Sequence, residues 1–310
     1  MKLLVNTAAL IPPLSGIGRY TEQILLGLLA NQQLKNIDGF CEGQFYNREQ
    51  LNQLVNQPEF SQNKIPEMMT SSIGQIKQMI NKIPASLLIK QAIKDVLLKA
   101  KFKQYQEHIY WEPNYILRPF SGKTVVTVHD LSHIQYPQFH PQERVRWLDD
   151  KLPETIDRAD ALITISKFSK QEIIKTFNIK AQNIEIVPPA VSSFFHLIST
   201  ENEKKLLKQK YKLPDKFVLS VATLEPRKNI ISLIQAFSRL DPSLRKEYPL
   251  VLAGCDGWLT DELNKVALPL MKRGQLIRLG YVDQQDLPTL YQTATLFVYV
   301  SLYEGYGMPI

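Results

Sequence analysis

The residues best suited to chemistry sit where apolar stretches give way to turns. Thr223-Leu224-Glu225-Pro226-Arg227-Lys228-Asn229 follows one such stretch and precedes helical periodicity at Ile230, Ile231, Leu233, Ile234 and Phe237. Two adjacent cations at a strand-to-helix turn join fixed charge to the unpaired N–H groups of a helix end, which suits a diphosphate. Two solvated first-turn cations are the plainer alternative, but these would oppose the helix dipole at roughly a few tenths of a kcal/mol. Near the other end of the chain, Ser301-Leu302-Tyr303-Glu304-Gly305-Tyr306-Gly307-Met308 offers a carboxylate that can accept from sugar or ribose hydroxyls. Its glycines let backbone N–H groups come close to a phosphate or sugar.

Two further stretches carry weaker signals. Leu14-Ser15-Gly16-Ile17-Gly18-Arg19-Tyr20 opens a helix, whose N-terminus carries about half a positive charge, so Gly16 and Gly18 could admit an anion or serve a tight packing turn. The third glycine of a dinucleotide fingerprint and its acidic companion are missing, which disfavours a nicotinamide-dependent oxidoreductase. Thr124–Val128 runs into His129, an imidazole at a strand end that could donate to a sugar hydroxyl, exchange protons near neutral pH, or be structural. His133 lies nearby without a third ligand, so no metal centre is expected.

Alternating strands and helices must position these residues. Strands are expected at Lys2–Asn6, Ile109–Trp111, Thr124–His129, Ala161–Ser166, Ile184–Pro188, Phe217–Thr223, Leu250–Gly254, Leu276–Gly280 and Thr295–Ser301. Helices are expected at Ile17–Ala30, Ala85–Phe102, Pro141–Ala159, Lys167–Phe177, Asn202–Tyr211, Asn229–Leu240, Leu259–Arg273 and Gln285–Thr293. This order predicts an α/β protein with parallel sheets covered on both faces and ligands beyond the carboxyl ends of the strands. The charged stretch Glu201–Lys205 and Pro214-Asp215 mark a junction, giving a first domain over 1–195, a linker over 196–215 and a second domain over 216–310. Residues 47–82, rich in Gln, Asn, Ser and Met, read as a poorly packed excursion.

Composition narrows the class without naming a function. The chain has 310 residues, 44% apolar and 22% charged, within the ordinary soluble globular range. Its net charge of +7 is compatible with anionic ligands or lipid but too diffuse to specify either. Two cysteines, Cys41 and Cys255, indicate neither a disulfide framework nor a zinc site, and a cytoplasmic location is expected. No run reaches the roughly 18 apolar residues of a membrane span.

Taken together, these stretches resemble the family-4 retaining glycosyltransferases of the GT-B fold. The resemblance covers nearly the whole chain. It is carried by Gly16-Ile17-Gly18-Arg19-Tyr20, Val128-His129-Asp130-Leu131, Thr223-Leu224-Glu225-Pro226-Arg227-Lys228-Asn229, Gly280-Tyr281-Val282 and Glu304-Gly305-Tyr306-Gly307-Met308-Pro309. It implies two Rossmann-like parallel-sheet domains facing across a cleft, the second incomplete. It also implies transfer of a hexose from a nucleotide diphosphate sugar, with retention and no obligatory metal or other cofactor.

By the same resemblance Arg227 and Lys228 bind the donor diphosphate, with Gly16, Gly18 and Thr223 beside it. His129 contacts a sugar hydroxyl, and Glu304 holds the sugar while Gly305, Tyr306, Gly307 and Met308 supply N–H groups. Tyr281 and Val282 lie against the base. The form of the diphosphate loop resembles mannosyltransferases, so GDP-mannose is the expected donor and a glycan or lipid-linked molecule the acceptor, in cell-surface polysaccharide assembly. Contact with anionic membrane through the helix over Ala85–Phe102 is a further expectation, and no nucleic-acid partner is expected. Family members carry a second glutamate and further elements that this chain does not reach, which implies a C-terminally truncated protein. The alternative expectation is a non-catalytic remnant or partner-binding protein.

Overall fold

The strands form where apolar residues can be buried on both faces of a sheet. The computed structural model describes residues 1–12, 14–41, 43–56, 98–191, 193–258 and 260–309. Its contacts divide the chain into two units, Met1–Leu131 with Trp147–Ala190, and Ser132–Arg146 with Val191–Ile310. Ser132–Arg146, assigned to the first domain by chain order, therefore packs with the second unit. There the Trp258 indole N–H donates to the Phe139 carbonyl at 2.5 Å, and the Tyr136 ring lies 5.6 Å from that of Tyr303.

The first unit holds a seven-stranded sheet built from β1 (Lys2–Asn6), β2 (Asn36–Cys41), β3 (Gln44–Tyr46), β4 (Ile109–Glu112), β5 (Thr124–Thr127), β6 (Ala161–Thr164) and β7 (Ile184–Ile186). Its order is β3-β2-β1-β4-β5-β6-β7, and only the β2/β3 pair is antiparallel. Sequence periodicity does not show β2, because Asp38 and Gly39 interrupt its apolar pattern. Parallel pairing with β1, Lys2 opposite Asn36 through Asn6 opposite Phe40, overrides that weak propensity.

Gly39 is a packing requirement, since a Cβ there would lie 2.5 Å from the Leu51 side chain. Leu51 and Leu54 are fully buried on the helix Arg48–Asn56, so this part of the expected excursion belongs to the core. The remainder of that excursion lies outside the described residues, as does the helix expected over Ala85–Phe102 up to residue 97.

The second unit holds a parallel sheet of β8 (Val218–Val221), β9 (Leu250–Ala253), β10 (Leu276–Gly280) and β11 (Leu296–Phe297), in the order β10-β9-β8-β11. Strand β9 is buried throughout. Leu250 and Leu252 face a core that includes Ile234 and Ala267, while Val251 and Ala253 face one that includes Leu207 and Leu290. This is the period-2 alternation of a strand covered on both sides. Strand β11 is shorter than expected, but the chain stays along β8 through a Val298 N–H bond to the Leu219 carbonyl at 2.8 Å.

Both sheets contain a topological switch point. In the second, β9 lies on one side of β8 and β11 on the other; in the first, β2 and β4 flank β1. A crevice opens at the carboxyl ends of strands where their order reverses in this way.

Close backbone approach fixes the loops at the carboxyl end of the second sheet. Gly254, at φ +142°, could not carry a Cβ, which would fall 1.9 Å from the Ala222 carbonyl oxygen. Replacement Gly254→Ala is expected to destabilise the unit by about 2–4 kcal/mol. Gly274→Ala, at φ +67° with open space around it, should cost only about 1 kcal/mol. Urea midpoints of the two variants check the difference.

Candidate functional site

At the switch point of the second sheet, the turn after β8 meets the segment after β11. Pro226–Lys228 form a short 3-10 turn, so the two cations precede the helix Ile230–Ser238 instead of occupying its first turn. Asn229 joins turn to helix in the left-handed conformation, at φ 57°, which asparagine tolerates better than most residues. Its amide donates to the Val300 carbonyl at 3.2 Å, and Leu302 N–H donates to the Arg227 carbonyl at 3.0 Å. These bonds tie the two strand ends together.

The side chains then converge on Glu304. Lys228 Nζ donates to Oε1 at 2.6 Å, the Tyr299 hydroxyl donates to the same oxygen at 2.6 Å, and Arg227 donates to Oε2 at 3.1 Å. Arg227 also binds the Tyr303 carbonyl at 2.9 Å and Glu225 at 2.8 Å. The guanidinium is thus a bracket between loops, while Lys228 also reaches the Tyr299 hydroxyl at 3.4 Å. Two cations and two carboxylates balance, with the Arg227, Lys228 and Glu304 side chains only 13%, 12% and 20% exposed. Burial pushes the Glu304 carboxyl up, but Lys228 and Arg227 together outweigh it and hold the group below its ordinary value. Burial and the Glu304 carboxylate both raise the Tyr299 hydroxyl, which remains protonated.

The neighbouring loops hold the other expected residues of this unit. Thr223 is exposed after β8. The loop after β9 is drawn alongside it by a Gly257 N–H bond to the Leu224 carbonyl at 3.1 Å. A Gly254 N–H bond to the Gly280 carbonyl, 2.8 Å, brings in the turn carrying Tyr281. Tyr281 is 37% exposed, whereas the Val282 side chain is buried in the core with Phe217 and Leu290. Gly305 is buried, Gly307 has φ +90°, and Tyr306 and Met308 are exposed.

In the first unit, Gly16 is exposed at the start of the helix Gly16–Ala30. At Gly18 the N–H is capped by the Ser15 hydroxyl at 3.3 Å, and a Cβ there would lie 2.6 Å from the Ala9 carbonyl oxygen, so packing requires a glycine. Tyr20, on the same helix, sets its ring edge-on to His129 at 5.1 Å. His129 is 5% exposed, and its Nε2 lies 2.7 Å from the Pro113 carbonyl. A carbonyl only accepts, so Nε2 carries the proton and Nδ1 is an acceptor. Burial lowers the His129 pKa against the opposing pull of Pro113 and Asp130, which keeps the ring neutral at pH 7 and disfavours proton exchange there.

Sequence reasoning passed over Glu112, Asn6 and Tyr299. Glu112-Pro113-Asn114 directly after an apolar strand was the available signal, being an acid at a strand's carboxyl end followed by turn residues. Among the described residues, no group of three His, Cys, Asp or Glu could hold a metal ion, and no helix is long and apolar enough to cross a membrane.

Because the Glu304 carboxyl titrates below its unfolded value of 4.5, its pairing stabilises the fold above that pH and is lost as pH falls through the lower folded value. Replacement Glu304→Gln is therefore expected to lower the urea midpoint at pH 7, the gap to the parent closing below about pH 4.5. A gap that stays constant from pH 7 to pH 3 refutes the pairing.

Comparison with known proteins agrees with this layout. Residues 107–193 match the family described as Glycosyltransferase Family 4, and residues 201–310 match Glycosyl transferases group 1. The chain is 33% identical over 311 residues to O-antigen chain mannosyltransferase B of Escherichia coli, covering 100% of this chain and 79% of that protein. It is also 38% identical over 193 residues to the serotype-specific mannosyltransferase WbdA of Escherichia coli, covering 60% of this chain and 23% of that one. Among solved structures, WaaG, a glycosyltransferase involved in lipopolysaccharide biosynthesis, matches 100% of this chain and 77% of its own, with TM-score 0.62 and 14% identity. Anabaena Alr3699/HepE in complex with UDP and glucose matches the same shares, with TM-score 0.60 and 16% identity. The fold is GT-B, and the chain belongs to the glycosyltransferases that join a family-4 domain to a group-1 domain.

Proposed function

We propose that this protein transfers a hexose, most simply mannose, from a nucleotide diphosphate sugar to a glycan or lipid-linked acceptor, with retained anomeric configuration. The observation that carries this reading is the charge-balanced Arg227–Lys228–Glu304 cluster at the carboxyl ends of β8 and β11. The mannosyltransferase names of the O-antigen relatives support the sugar, and the Thr223–Asn229 loop supports GDP as the carrier. A cytoplasmic location, with peripheral contact at anionic membrane, fits a lipid-linked acceptor.

The chemistry follows from where charge develops. Breaking the anomeric C–O bond leaves positive charge on the sugar ring and negative charge on the departing diphosphate. A cation whose contact with that diphosphate strengthens as the bond breaks lowers the barrier. Lys228 fits this role, since its ammonium has three N–H donors and Glu304 takes the short bond. A diphosphate that draws Lys228 away leaves Glu304 oxygens to accept sugar hydroxyls, while Arg227 keeps the carboxylate in place. The first-turn N–H groups of Ile230–Ser238 add a partial positive charge nearby.

Two measurements test this. Lys228→Ala is expected to fold and to lose about 10²–10³ in turnover of GDP-mannose with an α-mannoside acceptor, the usual cost of removing one such donor. Near-normal turnover removes Lys228 from the site. Turnover is also expected to persist in EDTA, and a loss restored by Mg²⁺ or Mn²⁺ would reassign part of the neutralisation to a metal.

A further inference from the structure

The switch point of the first sheet holds a carboxylate that the proposed chemistry does not use. Glu112 ends β4 and is 1% exposed, beside Asn6, which ends the neighbouring β1 and is 5% exposed. Asn6 Nδ2 donates to Glu112 Oε2 at 2.8 Å, across the place where the strand order reverses. The Tyr110 hydroxyl donates to the same oxygen at 2.6 Å, and the Asn114 N–H donates to Oε1 at 3.1 Å. Asn6 Oδ1 in turn accepts the Ala8 N–H at 3.0 Å. Burying a carboxylate is expensive, and an apolar side chain would fill the same space at lower cost, so packing alone does not account for it. Burial raises its pKa to about 7, against the opposing bonds from Tyr110 and Asn6 and the charge of Arg118.

What the carboxylate holds is a turn, and the turn holds His129. Pro113 supplies the carbonyl that receives His129 Nε2–H at 2.7 Å. Tyr115 is buried in the left-handed region at φ 60°, which costs a non-glycine residue about 1–2 kcal/mol. Its N–H donates to the Thr127 carbonyl at 3.1 Å, and its hydroxyl lies 3.1 Å from both Oδ1 and N–H of Asp130. One short strained segment, Glu112 to Tyr115, thus grips the His129-Asp130 pair from two sides, and Glu112 is the internal brace of that segment through its bond to Asn114.

We propose that Glu112 is a positioning residue for His129. It locks the Glu112–Tyr115 turn, so that the Pro113 carbonyl fixes the imidazole in its Nε2–H tautomer and leaves Nδ1 as the ring's acceptor. This rests on the glycosyltransferase reading above.

A double-mutant cycle with a spectroscopic readout tests it. Glu112→Gln, His129→Ala and the double variant are assayed with GDP-mannose and octyl α-mannoside, and the histidine ring nitrogens of parent and Glu112→Gln are followed by long-range ¹⁵N NMR. The single variants should each lower kcat by about tenfold or more with the donor KM within about twofold, and the double variant should be no worse than His129→Ala alone. The His129 ring should leave the single Nε2–H tautomer in Glu112→Gln. Fully additive losses, or an unchanged tautomer with unchanged kcat, overturn the proposal. If His129→Ala leaves kcat untouched, the sugar-contact reading of His129 fails and takes this proposal with it. If only Glu112→Gln is silent, this proposal fails and that reading stands. Should Glu112→Gln not fold, Asn6→Ser removes the donor across the switch point while sparing the carboxylate, and it is held to the same criteria.

Discussion

Glu304 is gripped across the ends of two adjacent parallel strands by Arg227 and Lys228, and the loops at the carboxyl end of the second sheet are held together by that grip. Two like charges side by side in a partly buried turn repel, and neither can be buried unpaired without a penalty of several kcal/mol. Glu225 and Glu304 remove that problem by balancing both charges and giving each cation a fixed direction. The result is a charge-balanced cluster of two cations and two carboxylates.

The two units solve the same positioning problem in the same way. In each, an asparagine joins a strand end or its turn to the segment across the switch point: Asn229 to the Val300 carbonyl in the second, Asn6 to the Glu112 carboxylate in the first. In each, a carboxylate then orders side chains that would otherwise be free to rotate. Backbone positions that most residues avoid sit beside these carboxylates, Asn229 at φ 57° and Tyr115 at φ 60°. Such conformations persist where surrounding bonds over-determine them, and they concentrate where geometry has to be exact for function.

Glycine has a different purpose here from the one suggested by its frequency in phosphate loops. Gly18, Gly39 and Gly254 each stand where a Cβ would collide with a carbonyl oxygen or a leucine side chain. They let backbone or side chains of neighbouring segments pack where a Cβ would not fit. Gly18 in particular looks in sequence like part of an anion loop, yet its N–H is already capped by Ser15.

The sequence by itself determined the alternation of strands and helices, the strand-end location of His129, Lys228 and Glu304, and the resemblance to a family later matched by comparison. It could do so because apolar periodicity and turn residues are local signals, read a few positions at a time. Lys2–Asn6, Leu276–Gly280 and the helix Lys167–Phe177 form with the bounds their periodicity predicts. Only the tertiary structure decided that β2 exists, that Val282 points into the core, that Arg227 braces loops, and that Glu112 reaches His129 through a turn. Each of these depends on a partner far away in the chain, Asn6 and Glu112 being 106 positions apart. A residue's own neighbours carry no record of such a partner, because pairing is set by which strands lie side by side.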